Sequence, residues 1–103
     1  MPKYEGDEMK NLVVVTRHPA LVEFLCELGM IELDTQILSH ASEEDLQGKD
    51  VIGVLPLHLA AVAHTVTEIP LDLKPEDRGE ELSLARLHEV AGKPRTFTVT
   101  RLA

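Results

Sequence analysis

Aromatic residues and cysteine are nearly absent from this sequence. Tyr4, Phe24 and Phe97 are its only aromatics and there is no tryptophan, too few for the stacking platforms that grip single-stranded nucleic acid. Cys26 is the single cysteine. It allows neither a disulfide within the chain nor a thiolate metal site, and the expected compartment is the cytoplasm. Cations are scarce as well: ten Lys and Arg face 18 Asp and Glu, a formal net charge of −8. Coating long nucleic acid through its phosphates requires a basic face, so long DNA or RNA is not an expected partner. No apolar run approaches the roughly 20 residues that span a bilayer, and residues 1–10 are polar and acidic, unlike a signal peptide. No membrane association is expected. The histidines lack spacings such as His-Glu-x-x-His, so no metal is expected. Gly-x-Gly-x-x-Gly and Gly-x-x-x-x-Gly-Lys-Ser/Thr are both missing, which argues against dinucleotide dehydrogenases and P-loop enzymes; no cofactor is expected.

What is present is a repeated pattern of apolar run, polar turn and helix. Asn11 to Thr16 is apolar without alternation, the mark of a strand buried on both faces in a parallel sheet. Thr16-Arg17-His18 breaks the run, Pro19 suits a first helical turn, and the helix it opens, to about Leu28, is stopped by Gly29. A second strand is predicted around Thr35 to Ser39, followed by a capped turn at Ser42 to Leu46. Asp50 to Leu55 repeats the first run and is again followed by proline, with a small apolar helix predicted over 56–63. Thr67 to Leu73 is predicted as a fourth strand, Lys74 to Glu81 as a charged loop and Leu82 to Val90 as a helix. Arg95 to Leu102 alternates, which places it as an edge strand. Residues 1–10 are expected to be a flexible lead, and 11–103 a single domain. The fold class is α/β: a compact, Rossmann-like, mostly parallel sheet of about five strands flanked by helices.

This layout gathers polar residues where ligands bind in open α/β sheets, at the carboxyl ends of the strands. They are Thr16, Arg17 and His18 after the first strand, Ser39 and His40 after the second, Pro56, Leu57 and His58 after the third, and Arg78 and Gly79 after the fourth. Arginine offers a planar fork of donors to phosphate oxygens, and histidine exchanges a proton near neutral pH. A small anionic ligand therefore fits an otherwise acidic protein. Each residue also has a plainer role. Arg17 could pair with a neighbouring carboxylate, His58 could lie exposed in a helical turn, His64 could serve a helix C-terminus, His88 could face outward from its helix, and Cys26 could be a buried inert thiol.

Thr16-Arg17-His18-Pro19, Ser39-His40, the stretch from Gly53 to Ala61 and Arg78-Gly79-Glu80-Glu81-Leu82-Ser83 resemble, in order and spacing, the motifs of the small type III CRISPR-associated proteins named for a Vibrio vulnificus prototype. The resemblance covers nearly all of the chain after residue 11. It implies a relative of the Rossmann-like domains that bind cyclic oligoadenylates, and ring nuclease activity that degrades those second messengers and switches off antiviral signalling. Cyclic tetra-adenylate is then the foremost substrate, cut without metal by attack of a ribose 2′-hydroxyl to leave a 2′,3′-cyclic phosphate. It further implies that Arg17 and N–H groups near Pro56 and Leu57 hold the phosphate, that His18 or His40 moves a proton, and that Arg78 is a second phosphate contact. A twofold homodimer would match a twofold-symmetric ring. The alternative is a protein that binds or sequesters the cyclic nucleotide without cutting it, or an adaptor for another CRISPR component. One departure is Ala41-Ser42, where an acidic residue is common in the family.

Overall fold

The first apolar run is strand β1, Leu12–Val15, in which Val13 and Val14 point to opposite faces and are both buried. In this computed structural model, which describes residues 11–77, 79 and 81–103, it leads into helix α1, Pro19–Glu27. Strand β2 is Gln36–Leu38 and helix α2 is Glu43–Leu46. Strand β3, Asp50–Gly53, is followed by helix α3, Leu57–Ala60, and strand β4, Thr65–Glu68. A 3₁₀ turn at Pro75–Asp77, helix α4 at Leu84–Val90 and strand β5 at Arg95–Phe97 complete the order. The expected lead at 1–10 lies outside the described residues.

The strands form one sheet in the order β2-β1-β3-β4-β5. The first four are parallel and β5 is antiparallel to β4. Because the chain steps from β1 outward to β2 and then back across to β3, the connections leave the sheet on opposite faces, which opens a crevice at the carboxyl ends of β1 and β3. On one face, Val14, Phe24, Leu25, Ile31, Ile52, Ile69 and Leu87 form the larger core under α1 and α4. On the other face the buried cluster is only Val13, Leu46 and Val51, with Leu59, Val62 and Ala63 packed against it. Leu25, Leu46 and Leu87 are fully buried, each contributing on the order of 1.5–3 kcal/mol. Across the larger layer, His88 packs edge-on to Phe24 at 5.1 Å and its Nε2 lies 2.6 Å from Glu27 Oε1, so this histidine ties α4 to α1.

Several expected boundaries move. β3 ends at Gly53 rather than Leu55, and the helix expected over 56–63 is a single turn, Leu57–Ala60. The fourth strand is Thr65–Glu68, not Thr67 to Leu73. Pro70 has no N–H to give to a ladder, so the pairing stops before it; Ile69 instead enters the core, and Leu71 makes one isolated bridge to Ala91. β5 stops at Phe97 rather than running to Leu102. Helix α4 begins after Ser83, whose Oγ accepts the Arg86 N–H at 3.0 Å. His64 serves no helix end: it precedes β4, and its Nδ1 lies 2.8 Å from Asp50 Oδ1. Cys26 is only partly buried, against the larger core.

Among the described residues, no helix is long and apolar enough to cross a membrane.

Candidate functional site

Three backbone features shape the crevice. The ladder between β1 and β2 runs one step past the strands, the Thr16 N–H donating to the Leu38 carbonyl at 2.9 Å, which keeps the two following loops side by side. The Thr16 hydroxyl then accepts the N–H of His18 at 3.1 Å, turning the chain so that His18 becomes the cap of α1 with its imidazole exposed. Pro19 follows at the first helical position, where a missing N–H costs nothing. The third feature is Gly53, which closes β3 directly against the end of β1.

The result is a cleft of about 410 Å³ lined by Val15, Thr16, Arg17, His18, Leu21, Ser39, Ile52, Gly53, Val54, Ile69 and Leu71. Its floor is aliphatic and its rim carries the hydroxyls, Arg17 and His18, while no carboxylate is among these lining residues. In a chain of net charge −8, a rim with a cation and no carboxylate favours an anion locally. Arg17 reaches across the rim to His40, its Nη2 donating to Nδ1 at 3.4 Å. The contact is long for a hydrogen bond, and it requires a lone pair on Nδ1, hence the neutral imidazole with its proton on Nε2.

Of the residues singled out in the sequence, Thr16, Arg17, His18 and Ser39 are brought together in the cleft, and His40 joins them through Arg17. The set after β3 lies elsewhere. Pro56 caps α3, and Leu57 and His58 line a separate depression of about 330 Å³ with Ala61, Val99, Thr100 and Arg101, whereas Val54, not among the expected residues, lines the cleft. The phosphate contact expected from N–H groups near Pro56 and Leu57 is therefore not part of this cleft, because α3 is a single turn that leans toward the chain's last residues. Arg78 lies outside the described residues, and Gly79 adopts a left-handed turn with φ of 79°. Sequence reasoning missed the cleft floor, Leu21, Ile52, Ile69 and Leu71. A glycine inside an otherwise apolar strand, Gly53, was the one available signal of a close backbone approach there. Among the described residues, no three His, Cys, Asp or Glu side chains cluster closely enough to hold a metal ion.

A mostly parallel sheet flanked by helices, with a cation-rimmed, aliphatic-floored cleft at its strand ends, defines a small open α/β fold. The family model described as "Putative CRISPR-associated protein (Cas_VVA1548)" matches residues 13–100, and the chain belongs to this CRISPR-associated family. No curated protein and no solved structure matches it.

Proposed function

We propose that this protein is a metal-independent ring nuclease that opens cyclic oligoadenylates, cyclic tetra-adenylate foremost, and so ends type III antiviral signalling. The observation that carries the reading is the Arg17–His40 contact across the cleft, with His18 beside it: one fixed cation and two proton-exchanging groups gathered from two loops at a single rim. These groups suit a 2′-hydroxyl attack. The 2′-oxygen bonds to the adjacent phosphorus, the bond from phosphorus to the 5′-oxygen breaks, and the products are a 2′,3′-cyclic phosphate and a 5′-hydroxyl. One histidine accepts the 2′-hydroxyl proton and a second, or water, supplies a proton to the departing 5′-oxygen. Arg17 neutralises charge on the non-bridging oxygens, and the protein holds the oxygen, phosphorus and leaving group in line. Proton transfer of this kind contributes about 10²- to 10⁴-fold.

The aliphatic floor of Leu21, Ile52, Ile69 and Leu71 suits the face of a base or ribose. At about 410 Å³ the cleft lies at the small end of ligand sites, so a macrocycle would lay one phosphodiester in it and leave the rest outside. Two copies with clefts facing would cover a twofold-symmetric ring, and a homodimer is part of the proposal. The test is incubation of purified protein with cyclic tetra- and hexa-adenylate in EDTA, followed by chromatography. Products ending in 2′,3′-cyclic phosphate support the reading. Tight binding with no products at any time would make the protein a sequestering one, and activity restored only by Mg²⁺ or Mn²⁺ would remove the metal-independent mechanism.

A further inference from the structure

The segments that flank the two outer strands of the sheet carry opposite charge. From Leu28 to Gly48, the stretch that contains β2 and α2, the sequence has five carboxylates, Glu32, Asp34, Glu43, Glu44 and Asp45, and no Lys or Arg. From Val90 to Ala103, the stretch that contains β5, it has Lys93, Arg95 and Arg101 and no Asp or Glu. All eight side chains are exposed. β2 and β5 are the two ends of the strand order, so among the described residues nothing pairs with the outer side of either. Each also leaves an apolar side chain uncovered, Ile37 at 39% exposure and Phe97 at 46%.

Charges on outer strands ordinarily prevent sheets from joining, because equal edges repel. Here the two edges differ in sign, so each repels its own kind and attracts the other. We propose that copies of this protein associate head to tail, the acidic β2 edge of one against the basic β5 edge of the next, so that the sheet continues from copy to copy. Such a contact is heterologous and builds chains, or rings if the rotation closes. Both outer strands have three residues, so few main-chain hydrogen bonds can form and the association is weak and reversible. Arg95 already shares its charge with Glu68 at 2.9 Å, and Arg101 donates its Nε–H to the Ala103 oxygen, which leaves Lys93 and the outer donors of Arg101 as the main attracting groups on the basic side.

Salt separates this contact from the mutual repulsion of two acidic molecules. At about 0.1 M the screening length is about 10 Å, which damps repulsion between remote charges but leaves contacting pairs; at about 1 M it is about 3 Å and the pairs weaken too. Sedimentation velocity at about 0.1 M should show a mass that rises with protein concentration, and that rise should disappear at about 1 M. A basic-edge variant, Lys93→Gln with Arg101→Gln, and an acidic-edge variant, Glu43→Gln with Glu44→Gln, should each weaken it by roughly tenfold or more. The acidic-edge pair leaves the Ser42–Asp45 capping box in place, and circular dichroism melts are the check that both variants are folded. Immobilised basic-edge variant, which retains its acidic edge, should capture the acidic-edge variant at about 0.1 M and release it at about 1 M, and should not capture a second basic-edge variant in this salt-sensitive way. The cleft-facing homodimer uses another surface, so only the salt-sensitive increment is read. A mass independent of salt and concentration, an increment untouched by either pair of substitutions, or equal salt-sensitive capture of both variants would each overturn the proposal.

Discussion

Gly53 stands so close to Val15 that a Cβ placed on it would lie 2.5 Å from the Val15 carbonyl oxygen. Its φ of 153° is also one that residues with side chains rarely adopt. No side-chain rotation relieves the clash, because the atom it meets is backbone. Gly53→Ala must therefore push β1 and β3 apart at their carboxyl ends, where the cleft is.

The expected cost of Gly53→Ala is about 1–3 kcal/mol, a fall in Tm of roughly 4–8 °C per kcal/mol in a domain of this size. Thermal or urea unfolding measures it. Ligand binding should suffer beyond the loss of stability, so affinity is to be compared at a temperature where the variant is fully folded. An unchanged Tm would show that the close approach of β1 and β3 is not required.

Arg17→Ala removes the fixed charge on the cleft rim that is proposed to hold a phosphate. Affinity for cyclic tetra-adenylate should weaken by about 1.5–3 kcal/mol, the range of hydrogen bonds to charged groups, as read by calorimetry or fluorescence anisotropy. The folded state should hardly change, since Arg17 is exposed.

His18→Ala should act differently. If His18 transfers the proton, affinity stays within a few-fold while the single-turnover rate falls by roughly 10²-fold or more, the signature of an interaction made in the transition state. Normal single-turnover cleavage would pass the role to His40, and normal cleavage by His40→Ala as well would leave positioning of the 2′-hydroxyl as the whole mechanism. Because His40 touches Arg17, the double variant Arg17→Ala with His40→Ala should be less impaired than the sum of the two, by about 0.5 kcal/mol or more.

A pH dependence of stability follows from the ion pair between Arg86 and Asp77. Arg86 forks onto Asp77 through Nε at 3.0 Å and Nη2 at 2.8 Å, and the Lys74 N–H donates to the same carboxylate at 2.8 Å. These donors lower the Asp77 carboxyl from 3.8 to about 2. A carboxyl with its folded-state value below its unfolded one adds stability that is fully present above about pH 4 and is lost as pH falls toward 2. Urea midpoints measured through that window should drop less steeply in Asp77→Asn than in the wild type. Equal slopes would show that Asp77 is not a source of the acid sensitivity.

The parallel centre of the sheet and the polar turns at its carboxyl ends were legible because they rest on strong local signals: two unalternating runs, Asn11 to Thr16 and Asp50 to Leu55, each broken by polar residues or proline, although the order of the strands was not. The alternation of Arg95 to Leu102 likewise marked an edge strand, which the structure shortens to Arg95–Phe97. β4 was misplaced because Ile69 and Leu71 continue an apolar pattern that serves the core and the cleft after the ladder has ended. His58 was assigned to the cleft by analogy with the turn after β1, and only the length of α3, which local sequence does not determine, separates the two. The contact between Arg17 and His40 spans 23 positions, a distance that spacing within either loop could not reveal.

The unequal layers on the two faces of the sheet set how the molecule opens. Helices α2 and α3 have four residues each, too few to persist without tertiary support, and they rest on a buried cluster of three side chains. Their amides should exchange with deuterated solvent through local openings far cheaper than global unfolding, while the central amides of β1, β3 and α1 exchange only when the whole domain unfolds. Val54 links the two regimes, for it belongs to the segment between β3 and α3 and also lines the cleft. The Val54 side of the cleft should therefore open more readily than the side that rests on β1 and α1, so that whatever enters the cleft would meet one firm wall and one that gives.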